Sequence, residues 1–365
     1  MTSDSGSIPK SKKMPQALSG LAGLLFSAQK NDGKVTVCDL GRFKTLLVEV
    51  RKYPDHLYIS RFELLKNAFH DQKPALALKP FFDGKRFRKE GIRVTLKGHG
   101  VVIRFIRFPK MKLEDLGSAM KYEAEQYIPF ELNNVAIDFA VVDENIRTDD
   151  GEKMEVMLSV IKLPDLEPTL EIFRNLECRL AVVDVDILAA LAALEYFHPE
   201  DFKGHVGLLD LGSEISTLGI VRDGNPRFIR DISYGTYDLQ KRLKTRSNFT
   251  EEMTEKILES DREPPAEAVE AIRESLDGLI GDLRVSFDYY QDQSARGQPL
   301  EKLFLSGGAA ANPVVLRSLS EGLKIPVVCM DILKKIKWAP EIDEALVKSS
   351  LPLLPVVLGL GVRDE

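Results

Sequence analysis

The sequence predicts an α/β protein of two related lobes facing each other across a cleft, with a smaller α+β subdomain inserted into the first lobe. Three observations carry this expectation. Residues Val35 to Val50 and Val206 to Val221 echo each other as apolar strand, Asp-Leu-Gly, turn and apolar strand, once in each half of the chain. A Gly-containing turn between two β-rich runs reads as a hairpin, and its recurrence reads as a duplication. Strand and helix patterns alternate around these echoes, as α/β folds require. Finally, Leu303 to Arg317 reads as a buried strand, a Gly307-Gly308 turn and a following helix.

The elements run in chain order from the N-terminus. Residues 1–33 form a leader, basic at Lys10, Lys12 and Lys13 and then apolar through Leu18, Leu21, Leu24, Leu25 and Phe26, with no small-residue cleavage site of a signal peptide. Leu18, Leu21 and Leu25 share a helical face suited to a membrane surface or a partner, while Gly20 and Gly23 weaken a helix and favour a flexible leader. The first lobe is expected at 34–99, 178–203 and 340–365. The inserted subdomain, 100–177, carries a strand from Val101, a helix from Leu113 to Tyr127, strands near Val135 to Val142 and Glu155 to Ile161, and a helix from Asp165 to Asn175. Ile187 to Tyr196 is apolar enough for a buried helix. The second lobe is expected at 204–339, with a helical subdomain at 245–295. There Val269, Ile272, Leu276, Leu279, Leu283 and Phe287 recur at three- to four-residue spacing as a packed stripe. Pro264-Pro265 suits the helix start, and Glu267, Glu270 and Glu274 fall on its solvated face.

Composition removes several function classes. With 365 residues, 44% of them hydrophobic, the chain can bury a large core divided among subdomains. A net charge of -6 argues against nucleic-acid binding through an overall basic surface. Cys38, Cys178 and Cys329 are odd in number and scattered, which fits a reducing compartment better than a disulfide framework or a CxxC metal site. His56, His70, His99, His198 and His205 lack metal-ligand spacing. The most apolar run, Leu351 to Val362, is short for a membrane span and holds two prolines. Walker, GxGxxG, GxSxG and protein-kinase motifs are absent.

The chemistry concentrates at the three glycine turns. A Gly two residues after a strand-end Asp lets backbone N–H groups approach a phosphate, because no Cβ blocks the way. Mg²⁺ bound to a nucleotide keeps several waters and is held through one or two carboxylates, so Asp39 and Asp210 would face it from opposite lobes. Gly307 and Gly308 would let a nucleotide sit against the N-terminus of the next helix. Taken singly, Asp-Leu-Gly also fits a plain turn and Gly-Gly a close strand-to-helix crossing. Their order and spacing favour the nucleotide reading.

Further stretches sharpen it: Met120 to Glu131 with its Ile128-Pro129-Phe130, followed by Asp138-Phe139; Phe228 to Gly235 after the second hairpin; Asp282 to Gln291; and Leu358 to Arg363. In this order they resemble the actin, sugar kinase and heat-shock ATPase superfamily, an actin-like, ribonuclease H-like fold. Within it the sequence is most similar to the PilM family of type IV pilus assembly proteins, which is FtsA-like, over Val35 to Arg363. The resemblance implies ATP and Mg as cofactors. Asp39 and Gly41 match the first phosphate motif, Asp210, Gly212, Ser213 and Thr217 the second, and Gly307 and Gly308 the adenosine motif, with Asp39 and Asp210 reaching Mg through water.

The sequence departs from the family where Arg42 and Phe43 follow Gly41. Lys44 either replaces the usual lysine or is a solvated turn residue, and Lys256 matches the adenosine contact only loosely. No catalytic base stands out. The family implies an adaptor at the cytoplasmic face of the bacterial inner membrane, with weak or absent ATP hydrolysis, that grips the N-terminal tail of a PilN-like membrane protein among other pilus or secretion components. A homo-oligomer is compatible with it. The alternatives are an active ATPase or sugar-kinase-like enzyme, which needs an Asp base near the γ-phosphate, and an FtsA-like filament former, whose membrane-binding tail helix is not expected after Gly361. A type II secretion relative of the GspL kind would continue into a membrane span.

Overall fold

A computed structural model describes residues 33–66, 74–96, 100–148, 151–292 and 298–363. The leader face of Leu18, Leu21 and Leu25 lies outside the described residues, as do His70 and His99.

The first echo folds as the hairpin β1 (Lys34–Leu40) and β2 (Lys44–Lys52), followed by β3 (Leu57–Lys66), helix α1 (Pro74–Asp83) and β4 (Glu90–Leu96). The chain then builds a three-stranded sheet from β5 (Val101–Pro109), β6 (Val135–Thr148) and β7 (Gly151–Lys162), in the order β5-β7-β6. Helix α2 (Leu113–Tyr127) covers one face of that sheet, burying Leu116, Met120 and Ala124 against Val156, Leu158 and Val160. Helix α3 (Leu163–Asn175) leads to β8 (Arg179–Val185), which pairs parallel with β4 and extends the order β3-β2-β1-β4-β8.

Helix α4 (Asp186–Phe197) and the short α5 (Pro199–Phe202) carry the chain to the second echo, β9 (His205–Leu211) and β10 (Ser216–Arg222). Next come β11 (Asn225–Ile232), helices α6 (Thr236–Ser247), α7 (Glu251–Glu259) and α8 (Ala266–Tyr290), β12 (Lys302–Gly307), α9 (Pro313–Leu323) and β13 (Val327–Cys329). Their sheet runs β11-β10-β9-β12-β13. Helix formation therefore starts at Thr236, ahead of the expected 245. In α8 Ile272, Leu276, Leu279 and Leu283 are buried as the stripe required, but Glu274 is not a purely solvated side chain: it pairs with Arg242 and Arg246 of α6.

The two sheets share one plan. In each, an antiparallel hairpin (β1/β2 or β9/β10) continues into an antiparallel third strand (β3 or β11), while two parallel strands (β4 and β8, or β12 and β13) extend the other side. The duplication visible as a short echo extends through five strands. We call the first sheet with its helices the first lobe and the second the second lobe. The return to the first sheet comes through β14 (Ile336–Trp338), which pairs parallel with β3, so it precedes residue 340, the expected point of return.

Helices α10 (Glu344–Ser350) and α11 (Leu354–Val362) end the described chain. Together with the turn between them they make a helical stretch, Glu344–Val362, long and apolar enough by length and composition to cross a membrane. It extends well beyond the expected run from Leu351. Most of it is buried in the protein: α11 packs between α4 and the first sheet, in the same core as Ile187, Leu188, Leu191 and Leu194. The approach is so close that a Cβ on Gly359 would lie 1.7 Å from the Ala189 carbonyl oxygen. An all-apolar helix is what a position covered on both sides demands.

The inserted subdomain also reaches the second lobe. Arg227 of β11 donates to Glu155 of β7 at 2.6 Å and to Asp143 of β6 at 2.9 Å, with the guanidinium largely buried.

Candidate functional site

Between the lobes lies a cavity of about 710 Å³, within the range typical of ligand pockets. Asp39, Gly41 and Lys44 line it from the first hairpin, Asp210, Gly212, Ser213 and Thr217 from the second, and Gly307 and Gly308 from the end of β12. Lys256 is not among the lining residues; its ammonium sits on the exposed side of α7 and pairs with Glu252 at 2.7 Å. The neighbouring carboxylates Glu251, Glu252, Glu255 and Glu259 line the cavity instead.

Asp39 and Asp210 occupy matching positions. Each is buried at the C-terminal end of the strand that starts its hairpin, with a hydroxyl residue opposite it on the adjoining parallel strand: Thr95 on β4 and Ser306 on β12. Thr95 Oγ1 donates to Asp39 Oδ1 at 3.2 Å, and Ser306 Oγ donates to Asp210 Oδ1 at 2.7 Å. These hydrogen bonds orient both carboxylates, and the pairing repeats from lobe to lobe. Sequence reading missed Thr95 and Ser306 because nothing local marks a residue that will lie opposite an Asp on a distant parallel strand.

The second hairpin turn is anchored by the start of α6. There the N–H groups of Thr236 and Tyr237 donate to the carbonyls of Gly212 at 2.9 Å and Ser213 at 2.8 Å. Gly235 makes this possible, since a Cβ there would lie 2.3 Å from the Ser213 carbonyl oxygen. At the third turn Gly307 adopts φ +97°, and its Cβ would meet the Leu211 carbonyl oxygen at 2.2 Å; Gly308 N–H donates to that same carbonyl at 3.2 Å. Gly308 lines the cavity, and a Cβ there would come into ordinary van der Waals contact with Thr236, whose Cγ2 would lie 3.5 Å away. Asn312 fixes the next helix: its Oδ1 accepts from the N–H groups of Val314 and Val315, while its Nδ2 donates to the Ile257 carbonyl of α7 at 2.8 Å.

Asp186, at the first residue of α4, also lines the cavity and was not singled out in the sequence. Its Oδ1 accepts from the N–H of Ile187 at 2.7 Å. At the opposite wall, burial pushes the Glu259 carboxyl above the usual carboxylate range while Lys44 acts against it. Glu255 is held below that range despite its own burial, by Lys66 and Lys44. Elsewhere burial disfavours the thiolate, pushing Cys178 up to about 12 and Cys329 up to about 11.

Among the described residues, no group of three or more His, Cys, Asp or Glu side chains forms a metal cage. Two hydroxyl-oriented carboxylates at the ends of matching strands are nevertheless the donor set that a nucleotide-bound Mg²⁺ uses, since that ion keeps much of its water.

Comparison with known proteins identifies the fold and the family. The solved structure titled PilM-PilN type IV pilus biogenesis complex matches with a TM-score of 0.75 at 23% identity, over 90% of this chain and 98% of that one. The ethanolamine utilization protein EutJ from Carboxydothermus hydrogenoformans matches with a TM-score of 0.54 at 11% identity, over 94% and 99%. MreB 5 of Spiroplasma citri bound to AMPPNP matches with a TM-score of 0.50 at 9% identity, over 90% and 95%. The fold is actin-like. A family model described as type IV pilus assembly protein PilM matches residues 77–365, well over half of the chain, and the chain therefore belongs to the PilM family of type IV pilus assembly proteins.

Proposed function

We propose that this protein is an ATP-binding adaptor of type IV pilus assembly, whose lobes close on Mg-ATP and which holds the N-terminal tail of a PilN-like protein at the cytoplasmic face of the inner membrane. The observation that carries the nucleotide part is the meeting of three separate motifs, around Asp39, Asp210 and Gly307-Gly308, on one cavity of about 710 Å³. Asp39 and Asp210, kept in position by Thr95 and Ser306, would hold the water shell of Mg²⁺. The turns at Gly41 and at Gly212-Ser213 would face the phosphates, and the side-chain-free turn at Gly307-Gly308 would face the adenosine. Bound Mg-ATP would supply the charge that draws the two lobes together. The lobe equilibrium would then bias the shape of the partner-binding surface, so turnover is not required.

The PilN-like partner is supported by the likeness to a chain solved within a PilM-PilN complex. The inserted subdomain stands between the first lobe and β11, and through Arg227 it would feel lobe movement. A slow ATPase is the second reading, favoured by Asp186, a carboxylate lining the same cavity.

Calorimetric titration of Mg-ATP into the protein, with Asp210→Ala and Gly308→Val and a steady-state phosphate-release assay, tests both. Saturable binding lost in both variants with negligible release is expected. Brisk release abolished by Asp186→Asn would instead establish the enzyme. No binding by the unaltered protein would make the cleft a scaffold feature.

A further inference from the structure

The turn of the first hairpin, where the chain departs from the family pattern, is gripped by the opposite lobe. Arg42 pairs with Glu214 in the turn of the second hairpin. Lys44 pairs with Glu259 and lies 3.7 Å from Glu255, and Lys66 at the end of β3 lies 2.8 Å from Glu255. Between these pairs the ring of Phe43 stacks near-parallel on that of Tyr237, centroids 6.2 Å apart. All of these contacts run from the first lobe to the second at the cavity.

We propose that these contacts form an intramolecular latch that holds the cleft closed without nucleotide, Glu255 and Glu259 occupying on Lys44 the place an anionic ligand would take. The Lys44 side chain is only 17% exposed, so solvent and salt screen its pairs weakly, whereas Arg42 and Glu214 are each about half exposed and add little. The helix that supplies the acids is built for this. Glu251, Glu255 and Glu259 recur every four residues, so α7 presents a line of carboxylates to the cavity. Lys44 and Lys66 are the amines set against them.

A phosphate ligand entering the cleft competes with this acidic wall for Lys44. If it wins the amine, it leaves Glu259 facing a second anion. Ligand entry therefore requires the latch to be exchanged, which lowers the apparent affinity by the fraction of molecules latched. The ligand half of this inference rests on the nucleotide reading above; the closure half does not.

Hydrogen exchange of the nucleotide-free protein tests closure, read at the amides of residues 42–44 and 213–215. In Glu255→Gln/Glu259→Gln these amides should exchange about tenfold faster, whereas raising salt in the unaltered protein should change their exchange far less. In parallel, Mg-ATP calorimetry should give binding about fivefold tighter in the double variant and weaker in Lys44→Met, although both open the cleft. Unchanged exchange alongside normal Mg-ATP binding overturns the latch and leaves the nucleotide reading standing. Faster exchange with no Mg-ATP binding by any of the proteins upholds the latch and removes the nucleotide reading.

Discussion

His205 illustrates how one buried side chain makes the protein sensitive to pH. It begins β9, and its Nδ1–H donates to the Pro299 carbonyl at 3.0 Å, while its Nε2 is buried with no hydrogen-bond partner among the described residues. Protonating that nitrogen would place a charge where nothing accepts it, so burial lowers the pKa of His205 below its ordinary value. His198, whose Nε2 is also buried without a partner among the described residues, is lowered by burial in the same way. For a group with a depressed folded-state pKa, the unfolded chain takes up protons first. The stabilisation is therefore complete above about pH 6.5, the unfolded value, and is lost as pH falls through the folded value. Unfolding free energies from urea titration should fall from neutral pH towards pH 5, by no more than about 1.4 kcal/mol per pH unit for each imidazole. His205→Gln should flatten part of that slope; an unaltered profile in the variant would count against the assignment. Residue-scale support of the cleft is built differently, from neutral hydroxyls: Thr95 and Ser306 steer Asp39 and Asp210 without adding charge.

At the scale of elements, the helix pair α4 and α11 is the tightest crossing. Extra atoms in a well-packed core commonly cost about 1–3 kcal/mol. Because the first atom met by a side chain at Gly359 is the Ala189 backbone, which cannot rotate away, Gly359→Val should reach about 3 kcal/mol or more in urea unfolding. Gly361→Ala, whose Cβ would first meet the Val50 side chain, should cost less. A small loss at Gly359 would mean that the helices separate freely. Most elements were legible in the sequence because each bears a local signature: α2 runs from Leu113 to Tyr127 as its apolar spacing requires, and both Asp-Leu-Gly hairpins stand where the echo put them. Relations between distant elements left no such mark. No pattern announced that β14 would join β3, or that Ser306 would lie opposite Asp210. On α7 Lys256 shares a helix face with Glu252, four residues before it, and its exposed ammonium turns to that carboxylate, while Glu255 and Glu259 meet Lys44 across the cavity.

At the scale of the whole molecule, the inserted subdomain belongs to both lobes through Arg227. Deleting that guanidinium removes the cation that Glu155 and Asp143 share, while Arg107 stays 3.6 Å from Glu155. Arg227→Ala should therefore cost about 3 kcal/mol, as breaking a buried pair does. Hydrogen exchange should then rise in β6 and β7 while α8 stays protected; uniform loss of protection would show that the subdomain does not open by itself. The described chain passes between the lobes twice, once from α5 into β9 and once from β13 into β14. These passages approach each other where Lys335, just before β14, donates to the Tyr196 carbonyl near the end of α4 at 2.8 Å. Two adjacent pins allow a swing and resist sliding. Torque applied at the mouth of the cleft acts on the longest lever arm, so the few side chains there can govern the angle of a body many times their size.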